Sequence, residues 1–334
     1  MLTSFGDLAL SGVLRNGTVA AKADLARSAQ EMTTGRAADP ARHLNGDLRA
    51  LSAIESRIAV LEGHAQVTRA AGLQLGAMQS AFARLSDSGE AVGAQLRVAL
   101  QSNLPDALGA AAGIARGAFD DAVATLNVQV AGRSIFAGTA PEGPALAPAA
   151  DILAAVQAHV AAQPDVPSLV QAVKDWFADP AGFGAAGYVG GAPQSAAIRL
   201  SPEATVPPPD TALAPEITAH LAALTLGVML GSAPIAATPQ ARATLAEAGA
   251  NALLSSQGGL TALQARTGTS EARVASAEAG NRAETAALRL ARADLLGVDP
   301  FDAASRLEEA RGQIEALYAL TARLSRLSLL EYLR

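Results

Sequence analysis

Apolar residues recur at heptad spacing near both ends of this 334-residue sequence. From Leu14 the series Leu14, Thr18, Ala21, Leu25, Ser28, Met32 steps by four and three. Near the other end Ala303, Leu307, Ala310, Ile314, Leu317, Leu320, Leu324, Leu327 and Leu330 step by three and four. That is heptad spacing, the pattern of a coiled-coil seam. The last stretch, TARLSRLSLLEYLR, is leucine-rich to its final residues, where chain ends are normally polar and frayed.

Burying one leucine is worth about 1.5–3 kcal/mol, so the leucines from Leu317 to Leu333 stand to gain on the order of 10–20 kcal/mol gross. An isolated helix of this size is marginal in water. Leu329 and Leu330 are adjacent, and Leu327 lies off the Leu317–Leu324 line. One partner helix would leave some of these wet; a helix surrounded by neighbours, as in an oligomer or tube, would not.

Composition narrows the function classes. Half the residues are hydrophobic but only 3% are aromatic, so the apolar content is mostly Ala, Leu and Val, which suits close helix packing. The net charge is -6 and basic residues form no patch, which argues against nucleic-acid binding. There are no cysteines, which removes disulfides and thiolate metal sites. The first basic residue is Arg15, so the N-terminus lacks the charged start of a cleaved signal peptide. The continuous apolar run Leu221 to Leu230 is too short to span a bilayer. A soluble chain without a Sec-type signal or membrane insertion is expected.

The punctuation predicts a helix from Leu14 that breaks at TTGRAADP, with Gly35 past the helix end, Asp39 as cap and Pro40 opening the next helix. That next helix is predicted from about Pro40 to about Leu100, with Leu44, Leu48, Leu51, Ile54, Ile58 and Leu61 as its stripe. Pro105 opens another. Prolines then crowd the region from about Gly138 to Asp210, which reads as a mixed insertion with helices over 151–162 and 168–178 and a strand near 196–200. Helix returns over 212–230, again from Thr238-Pro239 toward Leu296, and finally from Asp299-Pro300. Five glycines, Gly249, Gly258, Gly259, Gly268 and Gly280, leave the continuity of the second open, each costing roughly 1 kcal/mol against Ala.

Catalytic motifs fail one by one. GFGAAG, residues 182–187, is a literal G-x-G-x-x-G but has no preceding strand or βαβ unit, and reads as a flexible glycine-rich loop. His43, His64, His159 and His220 are scattered, without carboxylates at metal-ligand spacing. Asp120 with Asp121 and Glu308 with Glu309 read as solvated helix faces, and there is no G-x-S-x-G. No catalytic, cofactor or metal residue is assigned, and the protein is not read as an enzyme.

Three stretches carry a resemblance: LARSAQEMTTGRAADPARHL, LNVQVAGRSIFAGTAPEG, and DLLGVDPFDAASRLEEARGQIEALYALTARLSRLSLLEYLR. In this order, around a variable middle, they resemble the flagellin superfamily of bacterial flagellar axial proteins. The likeness is strongest to its hook–filament junction (third hook-associated) branch, whose insertion FGAAGYVGG also resembles. It covers roughly residues 8–143 and 258–334. The resemblance implies a structural protein of the extracellular flagellum, exported unfolded by the flagellar type III system without a cleaved signal. Its implied partners are further copies of itself in a ring, the first hook-associated protein, flagellin and a cytoplasmic export chaperone. Flagellin itself is the nearest rival reading, and a cytoplasmic coiled-coil scaffold a third.

The expected fold is mainly α: an elongated helical bundle or coiled coil from both chain ends, with a small α+β insertion. The expected segments are 1–138, 139–210 and 211–334, the first and last pairing. The residues expected to carry assembly are Leu14, Leu25, Met32, Leu307, Ile314, Leu317, Leu324, Leu327, Leu330 and Leu333.

Overall fold

The computed structural model describes residues 4–102 and 106–332, with side chains within 12–102, 106–234 and 236–323. The chain is mainly α, 75% helical. Two compact units emerge: Met1–Glu62 with Arg282–Arg334, and Gly63–Asn281.

In the first unit, α1 (Ser4–Thr34) and α10 (Pro300–Tyr332) pair with each other. Gly17 lies against Leu317, Glu31 against Arg306 and Gly35 against Val298, so the pair is antiparallel. Gly35 takes φ +66° just past α1, the left-handed conformation that ends many helices. Asp39 then caps α2 (Pro40–His43) by accepting the Arg42 N–H at 3.1 Å. Asp299 likewise accepts the Phe301 N–H at 2.7 Å as α10 begins.

The helix expected from Pro40 to Leu100 is two helices. The chain breaks after His43, where Asn45 (φ +52°) and Gly46 (φ +83°) both take left-handed backbone, and α3 runs Arg49–Gln101. Asn and Gly are the residues that enter this region most cheaply, so LNGD is a turn set inside a leucine stripe. Leu44 and Leu48 therefore lie outside α3, and Leu48 is exposed. The part of α3 in this unit is joined to α9 (Pro239–Leu296) by Arg57, which grips the Glu284 carboxylate with two nitrogens at 2.6 and 3.1 Å.

In the second unit, α3 and α9 run antiparallel, with Gly72 against Val274 and Gly93 against Leu253. α8 (Pro215–Ser232) is apolar on all sides and buried from Ile217 to Leu230 but for Ala219. It packs on α4 (Ala107–Leu126) and α6 (Val166–Ala178). Gly227 is what lets α8 approach α4, since a Cβ there would stand 2.7 Å from that of Ala115. Pro105, expected to open α4, lies outside the described residues. α9 is one continuous 58-residue helix despite its glycines, started by Thr238 accepting the Ala241 N–H at 3.2 Å.

The mixed region has the expected helices, α5 (Ala149–Val160) and α6, and a short α7 (Phe183–Ala186). Its core is not its own: Ile152, Val156, Val173 and Phe183 belong to the same buried cluster as Met78, Phe82 and Leu224. A hairpin, β1 (Gln129–Val130) and β2 (Arg133–Ser134), turns through Ala131 and Gly132, both at positive φ, as two-residue hairpin turns require. A second hairpin, β3 (Ile198–Arg199) and β4 (Thr205–Val206), lays Leu200 and Val206 on Ala71, Leu75 and Val274.

Candidate assembly interface

The α1/α10 pair is closed by small residues. Ala21 on α1 and Ala303 and Ala310 on α10 are buried, and Gly17 seats Leu317, whose Cδ2 would lie 3.7 Å from a Cβ. Small residues let two helix axes approach, so the larger seam side chains flank the contact instead of filling it. Leu14, Leu25, Leu307, Ile314 and Leu317 are accordingly half-buried. At the end of α1 the inward position belongs to Glu31, 5% exposed, while Met32 is 47% exposed. A heptad counted from Leu14 points to Met32 and passes over Glu31. The backbone of Leu324, Leu327 and Leu330 belongs to α10; their side chains, and all of Leu333, lie outside the described residues.

Several large hydrophobic side chains of this unit are exposed. Val13, Val19, Met32, Val60, Leu290, Phe301, Tyr318 and Leu320 are all among the exposed large hydrophobics, with Phe301 at 78% and Val13 at 69%. Sequence periodicity pointed to the seam and missed Val13, Val19 and Phe301. The signal was present, since each sits outside the heptad series yet is large and apolar.

The residues set aside as non-catalytic are placed as follows. Asp120, Asp121, Glu308 and Glu309 are exposed, as are His43 and His159, with His64 half-buried. GFGAAG is not a flexible loop. Phe183 is fully buried there, 6.1 Å from the Trp176 ring and 5.1 Å from that of Phe177, and Gly182 is pressed against the Trp176 backbone. His220 is fully buried. Its Nδ1 bonds the Ser256 hydroxyl at 3.0 Å, and its Nε2 has no hydrogen-bond partner. Burial pulls its pKa down to about 4, and the nearby Leu85 carbonyl opposes this in part. Among the described residues no group of three or more His, Asp or Glu side chains could hold a metal, and no helix is long and apolar enough to cross a membrane.

Residues 255–333 match the bacterial flagellin C-terminal helical region. This family model spans α9 from Ser255 to its end and the whole of α10, the helix whose partner is α1. The match supports the flagellin superfamily and a structural, flagellar role. No curated protein matches the chain.

Proposed function

We propose that this chain is a junction adaptor of the bacterial flagellum, a structural subunit that joins hook to filament and packs through its terminal helices. The observation that carries the reading is the coincidence of two features on one element. The flagellin-type C-terminal region includes α10, and α10 with α1 presents the exposed Val13, Val19, Phe301, Tyr318 and Leu320. Leu14, Leu25, Met32, Leu307, Ile314, Leu317, Leu324, Leu327, Leu330 and Leu333 are proposed as packing residues toward neighbouring subunits. The junction role in particular rests on the likeness of TTGRAADP and of the FAGT turn to that branch of the superfamily. Export through the flagellar type III channel without a cleaved signal, with a chaperone covering the C-terminal leucines, belongs to the same proposal. So do contacts with the first hook-associated protein, with flagellin and with further copies of itself.

A second reading, the filament subunit itself, is favoured by the matched family being that of flagellin. Clean deletion in the source organism separates the two. Electron microscopy is paired with an assay of flagellin in the medium. Hooks without filaments, with flagellin lost to the medium, is the result expected of a junction adaptor. Hooks without filaments and no major filament protein anywhere would make the chain flagellin. Normal filaments would contradict both.

A further inference from the structure

The end of α1 holds a buried carboxylate that the apolar seam does not explain. Glu31 is 5% exposed. Its Oε1 accepts the backbone N–H of Ala38 at 3.2 Å, beyond the helix end, and its Oε2 accepts from Arg306 Nη1 at 3.3 Å, on α10. Beside it the two interhelix joints pair with each other. The Ala37 N–H donates to the Leu296 carbonyl at 2.8 Å and the Val298 N–H to the Gly35 carbonyl at 3.2 Å, bracketing an antiparallel bridge between Arg36 and Gly297. One carboxylate is thus bonded both to the joint that follows α1 and to the helix that follows the other joint.

A charge this buried is tolerated only in the arrangement that bonds it. Elsewhere the buried positions of the α1/α10 seam are small, Ala21, Ser28, Ala303 and Ala310, and Gly17 seats Leu317. Packing of small residues specifies register weakly, and a buried charged group with fixed partners is the best-attested device for setting it. We propose that Glu31 is a positioning residue that fixes the register of α1 against α10 and latches the paired joints at residues 35–38 and 296–298. The latch acts within a single chain, so it stands whether or not the flagellar reading does.

The test is amide hydrogen exchange on the purified full-length protein, with one distance measurement. In Glu31→Ala, exchange at the Ala37, Ala38 and Val298 amides should rise about tenfold or more, the loss expected of a charge-assisted bond. Amides of α8 should keep wild-type rates. Glu31→Gln retains an oxygen for the Ala38 N–H but loses the charge that Arg306 meets, so Ala38 protection should largely return. Spin labels on Val19→Cys and Leu320→Cys, diluted in unlabelled chain, should give one narrow distance in wild type and a broadened or shifted one in Glu31→Ala. Arg306→Met serves if Glu31→Ala does not fold, with the broadening expected there too. Glu62→Ala, which breaks only the exposed pair with Arg289 at 3.0 Å, should change neither readout. Unchanged exchange and distance, equal acceleration in α8, or the same effect from Glu62→Ala would each overturn the latch.

Discussion

His220 shows how one residue can set the pH dependence of a core. It sits on α8 against Gly89 of α3 and Ser256 of α9, and Ser86 and Gln257 bond each other alongside it at 2.5 Å. Apolar packing surrounds this polar layer, and the neutral imidazole is the form that fits. With the folded pKa lowered to about 4 from 6.5, the unfolded chain binds the proton first as pH falls. The contribution of His220 to stability is therefore whole above pH 6.5 and is lost progressively toward pH 4. The loss is about 3 kcal/mol, at 1.36 kcal/mol per pH step. Urea unfolding of wild type and His220→Gln between pH 4 and 7 should show the difference: a steeper fall in the wild type, and curves that run parallel if His220 does not titrate this way. The sequence hid this residue because a histidine inside an uncharged helical run gives no local sign of what will surround it. Glu31 was hidden for a related reason, standing one position from the heptad site that Met32 occupies.

At the scale of elements, local chemistry was legible and tertiary chemistry was not. Asp39-Pro40, Thr238-Pro239 and Asp299-Pro300 mark helix starts in the sequence, and each start is where the cap residue bonds the first turn. The break at Asn45-Gly46 was missed because Leu44 and Leu48 continue the apolar stripe across it. The sharing of one core between residues 139–210 and α3, α4 and α8 could not be read locally, since proline-rich punctuation says where helices stop and not what they pack against. The glycines of the long helices divide by environment. Gly258 of α9 is exposed with open space at its Cβ position, whereas Gly227 of α8 lies under Ala115. Gly258→Ala should stabilise by about 0.5–1 kcal/mol through helix propensity and lost unfolded-state entropy. Gly227→Ala should destabilise by about 1–3 kcal/mol through overpacking. Thermal unfolding of the two variants checks both signs; the same sign for both would contradict the packing described for α8 on α4.

For the whole molecule, the mainly α class was legible in the sequence, because heptad and helix periodicity constrain any fold. The exposed apolar side chains of α1 and α10 were not, since periodicity finds the buried seam first. The central claim is that the terminal helices are built to be covered by neighbouring subunits while residues 63–281 carry a core of their own. Its most direct test removes residues 327–334 and asks two things of the shortened chain. The truncated protein should keep wild-type helicity and cooperative unfolding for the unit containing α8. Expressed in place of the full chain, it should fail to support filament growth, with electron micrographs showing hooks that carry no filament. Filaments of normal length and number from the truncated chain would contradict the claim.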